Sequence, residues 1–224
     1  MIKTHHIEVP RSARYHSRGQ LTNKTKRIWF ALHGYGQLAE SIANRIDCLD
    51  EETDYLICPE GLSRFYWEGF GGKPVASWMT SSDRLSEIDD YVRYLDLLFF
   101  SVNESLAAHG LNSSDVEIVV LGFSQGTATA ARWLAQGKAK ADYMLFWAGP
   151  LPDDVDWEKS LALFNNSSVY LFFGDQDQFI TEKHRNSHEE KLKALGLQFE
   201  SISYEGKHAI NQAALSQWIK STLH

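Results

Sequence analysis

Along this chain short, almost uninterrupted apolar runs alternate with longer stretches in which apolar residues return every third or fourth position. The runs are Ile28–Leu32, Tyr55–Cys58, Glu117–Phe123, Tyr143–Trp147, Val169–Phe173 and Gln198–Tyr204. Several lack the polar alternation of a half-exposed strand, so they read as central parallel strands covered on both faces. The longer stretches read as helices. Arg84–His109 places Leu85, Ile88, Tyr91, Val92, Leu95, Leu98 and Phe99 at helical spacing, Gln125–Gln136 stops at Gly137, Thr181–Leu195 stops at Gly196, and Ala209–Leu223 closes the chain. A glycine just past the last periodic residue is a common helix stop. Strand–helix alternation predicts right-handed crossovers and a mostly parallel sheet with helices on both faces, an α/β architecture. Ile7–Val9 and Ser12–Tyr15 are expected to form an antiparallel hairpin at the N-terminal edge. With no repeat, low-complexity tract or linker, residues 1–224 are expected to be one domain.

Composition narrows the partners rather than the fold. A domain of this length buries roughly 70% of the surface its unfolded chain exposes, enough to need neither disulfide nor metal. The formal net charge of -7 argues against nucleic acid or an anionic membrane as main partner. Cys48 and Cys58 form no CxxC and read as packed thiols. Met1–His6 lacks a signal-peptide apolar core and no run has membrane-spanning length, so a cytoplasmic location is expected. A homodimer stays open.

The chemistry is concentrated where strands hand over to helices. Gly122-Phe123-Ser124-Gln125-Gly126 is a G-x-S-x-G between a strand pattern and a helix pattern, the context that makes the serine a candidate nucleophile on a sharp, strained turn. A serine hydroxyl needs a histidine to take its proton and a carboxylate to orient that histidine. Asp175 and Asp177 follow one late strand, and His208 follows the next, in the order Ser, acid, base. Spacing alone leaves the acid open between the two aspartates, one of which is expected to brace its loop instead. The remaining histidines are poorer bases: His5, His6 and His16 lie at the N-terminal edge, His109 ends a helix, His184 and His188 share a solvated helix face without a third metal ligand, and His224 is terminal. His33-Gly34-Tyr35-Gly36 follows an apolar run directly. The backbone amides of Tyr35 and Gln125 are therefore candidate oxyanion donors, with His33 a loop-fixing residue. Pro59–Asp83 is a long aromatic-rich segment in which Trp67, Phe70 and Trp78 are expected to wall an apolar substrate pocket.

Taken together, His33-Gly34-Tyr35-Gly36, Pro59-Glu60-Gly61, Gly122–Gly126, Gly174-Asp175-Gln176-Asp177 and Gly206-Lys207-His208 resemble the phospholipase/carboxylesterase family of α/β-hydrolases, which includes carboxylesterases and acyl-protein thioesterases. The resemblance runs from about Ile28 to the C-terminus. It implies the α/β-hydrolase fold, a triad of Ser124, Asp177 and His208, oxyanion donors at Tyr35 and Gln125, and cleavage of small or lipid-like esters or thioesters without a cofactor. The family's H-G-x-G-D has Gln37 in place of the Asp here, and Ala209 stands where a small polar residue usually follows the base. The same scaffold also supports lactone and peptide hydrolysis, or a catalytically silent binding module. A missing triad residue would mark the last, and none is missing.

Overall fold

The computed structural model describes residues 1–223; His224, one of the histidines set aside above, lies outside the described residues. Nine strands and six α-helices follow one another as β1 (Tyr15–Arg18), β2 (Arg27–Leu32), α1 (Ala39–Ala43), β3 (Asp54–Pro59), β4 (Ser63–Tyr66), β5 (Pro74–Ser77), α2 (Arg84–Ala108), β6 (Glu117–Phe123), α3 (Gln125–Gln136), β7 (Tyr143–Trp147), α4 (Trp157–Asn165), β8 (Ser168–Gly174), α5 (Glu182–Ala194), β9 (Glu200–Tyr204) and α6 (Gln212–Thr222). Seven strands form the main sheet in the order β1-β3-β2-β6-β7-β8-β9, and β4 and β5 pair separately. Every pairing in the main sheet is parallel except that of β1 with β3.

The continuous apolar runs are explained by what covers them. Along β2, Ile28, Phe30 and Leu32 enter one core with α2, α3 and α4, while Trp29 and Ala31 enter a second core with α1 and α6. Met144 and Phe146 of β7 join the first core, and Leu145 and Trp147 the second. Successive side chains of a strand point to opposite faces, so only a sheet covered on both sides needs apolar residues at every position.

The chain leaves β2 for β3 on one side, then returns to place β6 on the other. Such a reversal of strand order, here at the carboxyl ends of β2 and β6, is where open α/β sheets keep their sites. The parallel register of β2 and β6 sets Leu32 opposite Gly122, so the loop beginning at His33 and the turn at Ser124 start side by side.

The expected N-terminal hairpin is not formed. Residues 1–14 carry no strand, and the antiparallel edge is the single strand β1, pairing Tyr15 with Pro59 and Arg18 with Leu56. Pro10 has no amide proton to give a ladder, and this part of the chain is fastened by side chains instead: Arg14 clasps the buried Glu60 through two hydrogen bonds from Nη2, of 2.7 and 2.9 Å. The segment Pro59–Asp83, read as a loop, contains the β4–β5 hairpin, and the last helix begins at Gln212 rather than Ala209. None of the described helices is long and apolar enough to cross a membrane.

Candidate active site

Ser124 stands between β6 and α3 with φ 55° and ψ −114°. A non-glycine residue held at positive φ costs about 1–3 kcal/mol, which the surroundings must offset. They do so through Ser124 N donating to Trp147 O at 2.8 Å and Thr127 N donating to Ser124 O at 3.0 Å. The flanking glycines are required by contact: a Cβ on Gly122 would lie 2.4 Å from Gly126 O, and one on Gly126 2.2 Å from Leu32 O. The hydroxyl of Thr127 closes the turn on Gly122 O at 2.9 Å.

His208 Nε2 lies 2.9 Å from Ser124 Oγ, and its Nδ1 lies 2.7 Å from Asp177 Oδ2. Asp177 is buried, and its Oδ1 accepts from Phe179 N at 2.8 Å and Ile180 N at 3.0 Å, so neither carboxylate oxygen lacks a donor. Asp175 is exposed and does not reach the histidine; its Oδ1 accepts from Gly206 N at 2.9 Å, tying the loop after β8 to the loop after β9. Those loops touch closely enough that a Cβ on Gly174 would sit 2.4 Å from Gly206 O. His208 itself rides on a loop ahead of α6 rather than at the start of the helix. Tyr204 fixes that loop: its hydroxyl donates to Ala209 O at 2.8 Å and accepts from Trp147 Nε1 at 2.8 Å, and burial raises its pKa to about 12. Through this arrangement a histidine can take the serine proton while the carboxylate holds its other nitrogen protonated.

Beside the serine runs the loop His33–Gln37. A Cβ on Gly34 would come within 3.2 Å of Ser124 Cβ, which places this loop against Ser124. His33 is buried, with Nδ1–H donating to Gly34 O at 2.8 Å and Nε2 accepting from Gly61 N at 2.9 Å. Burial lowers its pKa to about 4, so it is neutral at pH 7 and can fill both roles. Gln37, standing where the family has Asp, accepts from Gly34 N through Oε1 at 3.1 Å and so still braces the loop. The amide of Gln125 opens α3, where the first backbone N–H groups have no partner within the helix.

The three aromatic residues expected in the pocket wall are divided. Trp67 is half-exposed and lies over Gly36, where an added Cβ would be 2.6 Å from the indole, and it meets Tyr35 edge-on at 5.8 Å. Phe70 is fully exposed at the hairpin tip. Trp78 is no part of an open wall: it is 1% exposed, stacks on His33 at 4.9 Å and donates its indole N–H to His33 O at 2.8 Å. Sequence reasoning passes over Phe179, which is exposed and meets the His208 ring edge-on at 4.9 Å. An apolar residue directly after the polar run Gly174–Gln178 is the available signal. It also passes over the side chain of Gln125. A concavity of about 1150 Å³ lies elsewhere, between β9 and α6, and includes none of Ser124, Asp177 or His208; hydrogen bonding and strain mark the site better than hollowness does. Cys58 is buried, which pushes its thiol up to about 12 and leaves it inert. His188 Nε2 accepts from Leu151 N at 3.1 Å.

Known proteins share this geometry's frame. The phospholipase/carboxylesterase family model matches residues 21–223. No curated protein sequence matches the chain. Among solved structures, Zea mays acyl-protein thioesterase 2 aligns with a TM-score of 0.67 at 21% identity, covering 95% of this chain and 100% of its own. Esterase PE8 aligns with a TM-score of 0.64 at 21% identity over 94% of this chain and 99% of its own. The Bacillus cereus carboxylesterase aligns with a TM-score of 0.64 at 12% identity, over 93% and 94% of the two chains. At such identities the likeness speaks for the fold, and the family match carries the rest. The chain belongs to the phospholipase/carboxylesterase family and is a hydrolase of the α/β-hydrolase fold.

Proposed function

We propose that this protein cleaves carboxylic esters or thioesters by two-step acyl transfer, with Ser124 as nucleophile, His208 as general base and acid, and Asp177 as the carboxylate that orients His208. The observation that carries this reading is the unbroken relay from Asp177 Oδ2 through His208 to Ser124 Oγ, with heavy-atom distances of 2.7 and 2.9 Å. Ser124 Oγ attacks the acyl carbonyl carbon while its proton passes to His208 Nε2, and the carbonyl oxygen becomes an oxyanion facing the amides of Tyr35 and Gln125. When the intermediate collapses, the bond to the leaving oxygen or sulfur breaks and His208 returns its proton to that atom. Water then repeats the sequence on the acyl-enzyme, releasing the acid and restoring Ser124. The exposed aromatic residues Tyr35, Trp67, Phe70 and Phe179 suit an apolar acyl or aryl group. That acyl-protein thioesterases and carboxylesterases share the fold agrees with an acyl carbonyl as target.

The test is covalent labelling by a fluorophosphonate together with hydrolysis of p-nitrophenyl esters. The label is expected on Ser124, and Ser124→Ala is expected to lose about 10⁶-fold in kcat, the scale seen when a serine nucleophile is removed. A Ser124→Ala protein retaining full esterase activity would end this reading. A parallel panel of lactones and peptides separates ester cleavage from other acyl-transfer chemistry on the same relay.

A further inference from the structure

We infer that the side chain of Gln125 is a positioning residue that fixes the distance between the two oxyanion amides, by tying the nucleophile turn to the strip Ala76–Met79; this rests on the oxyanion assignment proposed above. The Gln125 carboxamide uses both ends. Its Oε1 accepts from Trp78 N at 3.1 Å, and its Nε2 donates to Met79 O at 2.9 Å and to Ser77 Oγ at 3.2 Å. The Ser77 hydroxyl in turn donates to Met79 O at 2.9 Å.

The same strip grips the loop that carries Tyr35. Ala76 O accepts from Gly36 N at 3.0 Å and Ala76 N donates to Gln37 O at 3.0 Å, while the Trp78 indole N–H reaches His33 O at 2.8 Å. Ala76, Ser77 and Trp78 are each no more than 1% exposed. The amide of residue 125 on one side and that of residue 35 on the other are thus joined through one buried strip, with bonds from the strip to Gly36, on the C-terminal side of Tyr35, and to His33 before it. A single side chain makes the connection to the nucleophile turn.

Only a carboxamide fits this place. One oxygen must receive an amide proton while one nitrogen, with protons to spare, faces a carbonyl and a hydroxyl. A carboxylate would keep the bond to Trp78 N but would set a lone pair against Met79 O. An apolar side chain would leave the buried Trp78 N–H without a partner. In each case the backbone N–H of residue 125 survives, so the loss falls on where the donor points rather than on whether it exists. Oxyanion stabilisation depends on donors aimed in advance at the developing charge.

The decisive variant is Gln125→Met, compared with wild type for p-nitrophenyl acetate turnover, for inhibition by a trifluoromethyl ketone that adds to the serine as a tetrahedral mimic, and for thermal midpoint. The expected result is a fall in kcat of about 10- to 100-fold, less than complete removal of an oxyanion donor, with KM within about twofold and ketone Ki rising in parallel with the loss in kcat/KM. Gln125→Glu is expected to fall between the two, and Ser77→Ala, which removes one partner of Nε2, to lose about threefold in kcat. If Gln125→Met lowers the thermal midpoint while kcat and ketone affinity stay within twofold of wild type, the side chain is merely structural and the inference is overturned. Ser77→Ala supplies the same comparison should the methionine variant not fold. Ser124→Ala separates the two levels: an inactive Ser124→Ala beside a fully active Gln125→Met overturns this inference alone, whereas an active Ser124→Ala removes the reading beneath it.

Discussion

The strip Ala76–Met79 and the hairpin turn around Trp67–Lys73 come from the same stretch between β3 and α2, yet they are built in opposite ways. The strip is buried from Ala76 to Trp78, stacked on His33 and hydrogen-bonded on both sides to the segments that flank Ser124. The turn leaves Phe70 fully exposed, and an added Cβ on Gly69 or Gly71 would meet nothing within 4 Å. Buried polar bonds in a dry surrounding hold atoms to tenths of an ångström, which an oxyanion demands. Open aromatic surface can adapt to ligands of different length, which an acyl chain demands. Under the proposed mechanism, chemistry would fall to the fixed half and substrate preference to the free half.

Three experiments press on that division, in order of expected size. The largest effect concerns the carboxylates. Asp177→Asn is expected to lose about 10⁴-fold in kcat, because an amide cannot hold the required histidine tautomer. Asp175→Ala, which removes only the bond to Gly206 N, is expected to stay within about tenfold. Equal losses in steady-state kinetics would erase the distinction between the buried acid and the exposed brace.

The second concerns the fixed half directly. With a pKa of about 4 in the fold against 6.5 as reference, His33 binds its proton later than in the unfolded chain as pH falls. The unfolded state therefore takes up more protons between these values, so stability is intact above pH 6.5 and declines toward pH 4, by about 3 kcal/mol in total. Urea unfolding at pH 7 and pH 4.5 is expected to show this slope in wild type and a flatter one in His33→Gln. Identical slopes would mean that the strip does not rest on a neutral imidazole.

The smallest effect belongs to the free half. Trp67→Ala is expected to leave kcat/KM for p-nitrophenyl acetate within about threefold while lowering it about tenfold for a medium-chain ester, the scale of removing part of an apolar wall from the transition state. An unchanged ratio along the ester series would remove Trp67 from the substrate path.

Much of the fold is legible in the sequence because strands buried on both faces leave a loud pattern. Ile28–Leu32 and Glu117–Phe123 could hardly be anything else, and G-x-S-x-G between strand and helix locates Ser124 unaided. Chain order is enough to single out His208. What stays hidden depends on which side of a turn a residue faces. Asp175 and Asp177 are two positions apart and chemically alike; the resemblance favours Asp177, and the fold separates them by setting Asp177 against His208 Nδ1, Phe179 N and Ile180 N and Asp175 against Gly206 N. Trp67 and Trp78 look equivalent in composition, yet one is half-exposed and the other sealed beneath His33. The expectation of an edge hairpin fails because Ile7 and Val9 alternate as a strand would, whereas in the fold both remain exposed with no partner strand. α4, nine residues long, offers too few turns for a period to stand out.

The order of strands has one further consequence. Ser124 follows β6, in the middle of the sheet, whereas His208 follows β9, which has a neighbour on one side only. Outer strands open at lower free energy than central ones. When β9 peels away it takes Tyr204 out of the second core and draws the His208 loop with it, while β6 stays paired on both sides, so under the proposed mechanism the base sits on the rim and the nucleophile in the middle. Turnover on warming is then expected to fade with the fraying of this edge strand, ahead of unfolding of the whole.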